Sequence, residues 1–202
     1  MIALVDYGAG NLASVRKAFA AIGADVAVAG APGDLVDAAA VVVPGVGHFG
    51  ATRALGEPWR DAILARVGEG RPLLGICLGM QWLFEGSDEA ADAAGLGLLP
   101  GRCFRLTGPP PVKVPHVGWN SLEPARESWI VDDVPPGAQV YFTHSYAAPI
   151  TSDTVAVTEH GTRFAAVVQH GQVAGVQFHP EKSGEVGLRI LRNFLEMAGL
   201  AK

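Results

Sequence analysis

The 202-residue chain carries 15 Lys and Arg against 20 Asp and Glu, a formal net charge of -5, with 49% hydrophobic and 17% charged residues. That balance excludes a largely disordered chain, and the lack of a basic run leaves nothing to neutralise the phosphates of a nucleic acid. No stretch is long and apolar enough to span a membrane, Met1 to Asp6 lacks the form of a secretory signal, and two cysteines, Cys77 and Cys103, suit reduced thiols in the cytoplasm.

In chain order, Ile2 to Tyr7 predicts a strand, and Leu12, Val15, Phe19 and Ile22 recur at helical spacing. Asn11 is placed to cap that helix and Gly23 to stop it. Strands follow at Val26 to Ala29 and Val41 to Val43, with a helix around Trp59 to Val67 leading to a strand at Leu73 to Ile76. This βαβ alternation predicts an α/β fold with a mostly parallel central sheet. From Gly95 to Pro136 the Gly- and Pro-rich pattern, including Pro109, Pro110 and Pro111, predicts loops and edge strands. Regular runs return at Val140 to Thr143, Thr154 to Thr158, Phe164 to Val168 and Val173 to Phe178, and Val186, Ile190, Phe194 and Met197 mark a closing amphipathic helix. No linker divides the chain, so residues 1–202 are expected to form one domain.

Gly75-Ile76-Cys77-Leu78-Gly79 has the form glycine, x, nucleophile, x, glycine between a predicted strand and helix. Such a turn pushes the nucleophile out at the carboxyl end of the strand, where a helix N-terminus favours thiolate and backbone N–H groups face a developing oxyanion. Gln177-Phe178-His179-Pro180-Glu181 is expected at the same edge directly after the last strand, so His179 can serve Cys77 as base although about a hundred residues separate them. Glu181 is placed to orient the imidazole. Pro44-Gly45-Val46-Gly47 follows a third strand, and its Gly45–Val46 backbone is a further candidate oxyanion donor. Gly8, Gly10 and Ala13 match the G-x-G-x-x-A of a dinucleotide site, but the second strand ends in Ala29-Gly30-Ala31 where such a site needs an acidic residue.

Together Gly75 to Gln81 and Phe178 to Glu181 resemble the triad, or class I, glutamine amidotransferases over essentially the whole chain. Asp6 to Asn11, Pro44 to Gly47, Val114 to Asn120 and Glu181 to Ser183 are further similar to members of that family that supply ammonia for histidine biosynthesis. The resemblance implies a three-layer, flavodoxin-like α/β fold with a loop-rich antiparallel edge. It implies catalysis by Cys77, His179 and Glu181 through a thioester with glutamine, with no cofactor or metal, and an oxyanion hole from Gly45, Val46 and Leu78. Gln81, Glu89, Ser145 and Tyr146 are implied as ligands of the substrate's amino-acid end. A (β/α)8-barrel cyclase partner in a heterodimer is implied as well, with Asn11, Trp119 and Lys182 at the interface. The mechanistic expectation is a Gly45–Val46 peptide whose N–H is turned away at rest.

Overall fold

In a computed structural model, which describes residues 1–201, the chain opens with strand β1 (Ile2–Val5), helix α1 (Leu12–Ala21), β2 (Val26–Ala29) and β3 (Ala40–Val43). Helix α2 (Glu57–Gly68), β4 (Leu73–Ile76) and the short α3 (Leu78–Trp82) follow. Then come β5 (Gly86–Ser87), β6 (Ala90–Ala94), β7 (Arg102–Arg105), β8 (His116–Ser121) and β9 (Glu123–Pro124). The chain continues through β10 (Gln139–His144), β11 (Tyr146–Ala147), β12 (Thr154–His160), β13 (Thr162–His170) and β14 (Val173–Val176), and closes with α4 (Gly184–Met197).

Eight strands form the central sheet in the order β2-β1-β3-β4-β14-β13-β12-β9. Pairing is parallel from β2 through β14 and antiparallel from β14 to β9, which is the mostly parallel sheet with an antiparallel edge that the sequence predicts. The parallel strands are short aliphatic runs because both faces are covered. Alternate residues feed different cores: Ile2, Leu4, Val42, Leu74 and Val176 pack with Phe19 of α1 and Phe194 of α4, whereas Ala3, Val5, Val43 and Leu73 pack with Trp59 and Ile63 of α2. Two smaller sheets, β10-β8 and β11-β7-β5-β6, complete the layers.

The expected helix signals hold. Asn11 accepts the Ser14 N–H through its side chain at 3.4 Å, and Gly23 takes a positive φ of 77° just after α1. Two expectations need correction. Met197 does not share the buried stripe of Ile190 and Phe194 but is 42% exposed, because α4 ends there. The last strand stops at Val176, and His179 lies three residues beyond it because its N–H donates to Tyr141 O of β10 at 2.9 Å instead of continuing the sheet.

Candidate active site

The register of β4 against β14 pairs Ile76 with Val176, so the chain emerges at Cys77 and Gln177 side by side. Cys77 N–H donates to Val176 O at 2.8 Å, the last bond of that ladder. Cys77 then takes φ 52° and ψ -106°, a conformation an L residue adopts only under constraint. The constraint is the approach of α3 to the sheet. A Cβ on Gly79 would stand 1.8 Å from Val43 O, and one on Gly75 would stand 2.7 Å from the Met80 N and Cα atoms, so glycine is required on either side of Cys77. The turn holds the cysteine 5% exposed, at the rim of a cavity of about 330 Å³.

His179 and Glu181 come together through a single turn of 3-10 helix, Pro180–Lys182. His179 Nδ1 and Glu181 Oε1 are 2.8 Å apart, with side chains only 2% and 1% exposed, and since a carboxylate only accepts, Nδ1 carries the proton. Ser183 fastens the turn: its hydroxyl donates to His179 O at 2.6 Å and accepts the Tyr141 N–H at 3.0 Å. Nε2 is buried and makes no hydrogen bond of its own in this arrangement. Burial opposes a charge on His179, but the neighbouring Cys77 sulfur and the Glu181 carboxylate outweigh it and push the imidazole pKa up to about 10. The arrangement of cysteine sulfur, imidazole and buried carboxylate can deliver a nucleophile and return a proton to a leaving group.

The oxyanion side is closed. Leu78 N–H donates to Gly45 O at 3.3 Å and Val46 N–H donates to Ala9 O at 2.7 Å, so the Gly45–Val46 peptide presents its carbonyl, not its N–H, to the start of α3. The cavity beside Cys77 is lined by Gly47, Leu78, Gln81, Glu89, Pro115, Thr143, His144, Ser145 and Tyr146, which brings the four expected substrate-binding residues together. Glu89 Oε2 accepts the Phe49 N–H at 2.7 Å. Gln81 spends its amide hydrogens inside the protein, on Tyr146 O at 2.7 Å and Gln177 Oε1 at 3.1 Å, and so offers a ligand only its oxygen.

Residues 3–198 match the family model described as glutamine amidotransferase class-I. The chain belongs to the class I glutamine amidotransferases. Among curated relatives, the imidazole glycerol phosphate synthase subunit HisH of Halobacterium salinarum is 52% identical over 204 residues, covering 96% of this chain and 92% of that protein. The subunit of the same name from Xylella fastidiosa is 49% identical over 197 residues, covering 97% of each chain. A crystal structure of a glutamine amidotransferase superposes with a TM-score of 0.77 over 98% of this chain and 100% of its own, at 22% identity, a likeness of fold.

The three expected partner residues of this amidotransferase stand near its active edge in different states. Trp119 is 56% exposed and meets the Tyr141 ring edge-on at 6.1 Å, and Lys182 Nζ lies 5.6 Å from the centroid of that ring. Asn11 is already engaged as the cap of α1.

Sequence reasoning missed two features of the amidotransferase site. Gln177 donates from Nε2 toward Cys77 Sγ at 3.6 Å, with its orientation set by Gln81. The second is a buried chain behind the cavity wall. His144 Nδ1 must donate to Tyr146 O at 2.9 Å, so its Nε2 accepts from His116 Nδ1 at 3.1 Å, and His116 Nε2 accepts from Asn120 at 3.3 Å. Burial and the neighbouring His160 imidazole depress His116 to about 4, and burial above all depresses His144 to about 3, so both remain neutral as this directionality requires.

Proposed function

We propose that this chain is the glutaminase subunit of an imidazole glycerol phosphate synthase in histidine biosynthesis. In this reading it hydrolyses glutamine through a Cys77 thioester and passes ammonia to a (β/α)8-barrel cyclase subunit in a heterodimer. The observation that carries the chemistry is the buried His179–Glu181 pair at 2.8 Å beside the Cys77 turn. Identities of 52% and 49% to subunits of that name, over nearly the full chain, support the pathway. Residues 1–202 act as one amidotransferase domain. Two free, buried cysteines support a cytoplasmic setting, and no helix among the described residues is long and apolar enough to cross a membrane.

In the first half-reaction the Cys77 thiolate attacks the side-chain amide carbon of glutamine, and a C–S bond forms as charge moves to the oxygen. His179 gives its Nε2 proton to the leaving nitrogen, the C–N bond breaks and ammonia departs. Water then attacks the thioester as His179 Nε2 takes a proton from it, the C–S bond breaks and glutamate leaves, restoring the thiolate and the protonated imidazole. Glu181 keeps the Nδ1 proton in place throughout. Gln81 and Glu89, with Ser145 and Tyr146, hold the amino-acid end of the substrate, the Glu89 carboxylate suiting an α-ammonium.

Leu78 N–H and Val46 N–H are the oxyanion donors once the Gly45–Val46 peptide has turned. Their present commitment to Gly45 O and Ala9 O keeps glutaminase activity low until the cyclase and its nucleotide ligand favour the turned state. Trp119, Lys182 and Asn11 meet the cyclase. The test is glutamate release from glutamine by the chain mixed with the cyclase subunit, with and without that nucleotide. Strong stimulation, abolished in Cys77→Ser, is expected. A formed complex without stimulation would return the pathway assignment to other amidotransferases.

A further inference from the structure

Tyr7 Oη is fully buried and has no hydrogen-bond partner. Nothing in the mechanism above uses it, and an orphaned buried hydroxyl is costly enough to call for a reason. Its position supplies one. A Cβ built on Gly45 would stand 2.3 Å from Tyr7 Oη, 2.7 Å from Leu78 Cβ and 3.1 Å from Gly79 N, so the phenol is packed against the segment that must turn and the start of α3. Burial, with the Cys77 sulfur adding to it, raises the phenol pKa, so the group remains a donor at every working pH.

Turning the Gly45–Val46 peptide would free two acceptors, Gly45 O from Leu78 N–H and Ala9 O from Val46 N–H. A freed buried carbonyl needs a donor. Trp82 Nε1, Arg126 Nε and His179 Nε2 are the other buried side-chain donors without a partner among the described residues, and none of them is among the atoms nearest the Gly45 Cβ position. We propose that Tyr7 is a positioning residue for the oxyanion hole: its O–H donates to the Gly45 carbonyl once the peptide turns, and so favours the competent arrangement over the resting one. The proposal rests on the glutaminase reading above and adds to it the group that stabilises the turned peptide.

Tyr7→Phe keeps the ring and deletes the hydroxyl. In the complex with the cyclase subunit, loss of one hydrogen bond should lower the ratio of turned to resting peptide about fivefold. Where the turned form is rare, without the nucleotide ligand, kcat for glutamate release should fall by that factor, and with the ligand by that factor or less. The KM for glutamine should not change. The thermal midpoint of the chain should stay level or rise, since the variant removes an unpaired buried group, and the rate of Cys77 alkylation by iodoacetamide should be unaltered.

Wild-type kcat in Tyr7→Phe would overturn the proposal, and so would a kcat and midpoint that fall together, which would mark the hydroxyl as packing alone. A changed alkylation rate would overturn it in another way, by placing the hydroxyl's action on the sulfur. If the wild-type chain releases no glutamate with cyclase and nucleotide present, the glutaminase reading itself fails and the proposal falls with it.

Discussion

Replacing Glu181 with Gln tests the His179–Glu181 pair with almost no change of shape. The pair is 2.8 Å long with both side chains at most 2% exposed, so water screens it little. Gln still offers an oxygen to Nδ1–H, but the charge is gone, and a hydrogen bond to a charged group is worth roughly 1.5–3 kcal/mol. The neutral bond that Gln retains is worth roughly 0.5–1.5 kcal/mol, so about 1–1.5 kcal/mol is lost, and at 1.4 kcal/mol per decade kcat for glutamate release should fall roughly five- to tenfold. Glu181 is also one of the causes that hold His179 at about 10, so the alkaline limb of the rate profile should move to lower pH in the variant. Stability follows the same linkage. A histidine whose pKa is raised on folding stabilises the fold fully below its unfolded value near 6.5, and that contribution is lost as pH rises through about 10. The variant should therefore be less stable than wild type at neutral pH, with the two converging above about pH 10. The assay is glutamate release at saturating glutamine with the cyclase and its nucleotide present, run alongside urea unfolding, from pH 6 to beyond the limb. A kcat within a factor of two of wild type, with an unmoved alkaline limb, would show that the Glu181 charge does not govern the imidazole.

Gly79→Ala drives a methyl to within 1.8 Å of Val43 O, backbone that cannot step aside, and should cost roughly 1–3 kcal/mol or more by urea midpoint. Gly47→Ala meets nothing within 4 Å and should cost only about 1–2 kcal/mol for its left-handed φ of 93°. Trp119→Ala, at a side chain 56% exposed, should leave stability within about 0.5 kcal/mol yet weaken cyclase binding by more than about 1 kcal/mol in titration calorimetry. His116 and His144, neutral with pKa values depressed to about 4 and about 3, stabilise the fold above the unfolded value near 6.5 and stop doing so as pH falls through those lower values. The urea midpoint should accordingly drop on acidification, and His116→Phe, less stable at pH 7 for want of a donor to His144, should show a shallower drop.

The placing of Cys77 and His179 at one sheet edge is legible in the sequence because the signals are local. A strand, a glycine-flanked cysteine and a helix lie within a dozen residues, and parallel topology then brings any strand end to the common edge. The His116–His144 chain had no such signal. Those residues meet because β8 and β10 pair with His116 opposite His144, a register fixed by the whole ribbon. Gln177 was equally silent, since a glutamine before a buried Phe178 reads the same whether its amide faces a thiol or solvent. Strands β5 and β6 have no signal of that kind: Ala90-Ala91-Asp92-Ala93-Ala94 has no β-branched residue, and its pairing with β5, itself paired with β7, outweighs propensity there.

The orientation of the Gly45–Val46 peptide is a different kind of gap, because two orientations are compatible with one sequence. Turning the peptide breaks the Val46 N–H bond to Ala9 O and the Leu78 N–H bond to Gly45 O. At about 1 kcal/mol net for each, those two bonds favour the resting form by roughly 2 kcal/mol, and the Tyr7 bond to the turned carbonyl returns about 1, which leaves roughly 1 kcal/mol, near five to one. A gap of that size gives a low basal rate without abolishing it, and a partner need supply only a few kcal/mol of differential contact to invert it. It also bounds the stimulation such a switch can produce. If opening the hole is all the partner contributes, the rate can rise no more than roughly sixfold, the inverse of the turned fraction. Stimulation far beyond that would require the partner to change a second element of the site, and the turn that carries His179 and Glu181 is the nearest candidate, since Lys182 at its end lies over Tyr141 beside exposed Trp119.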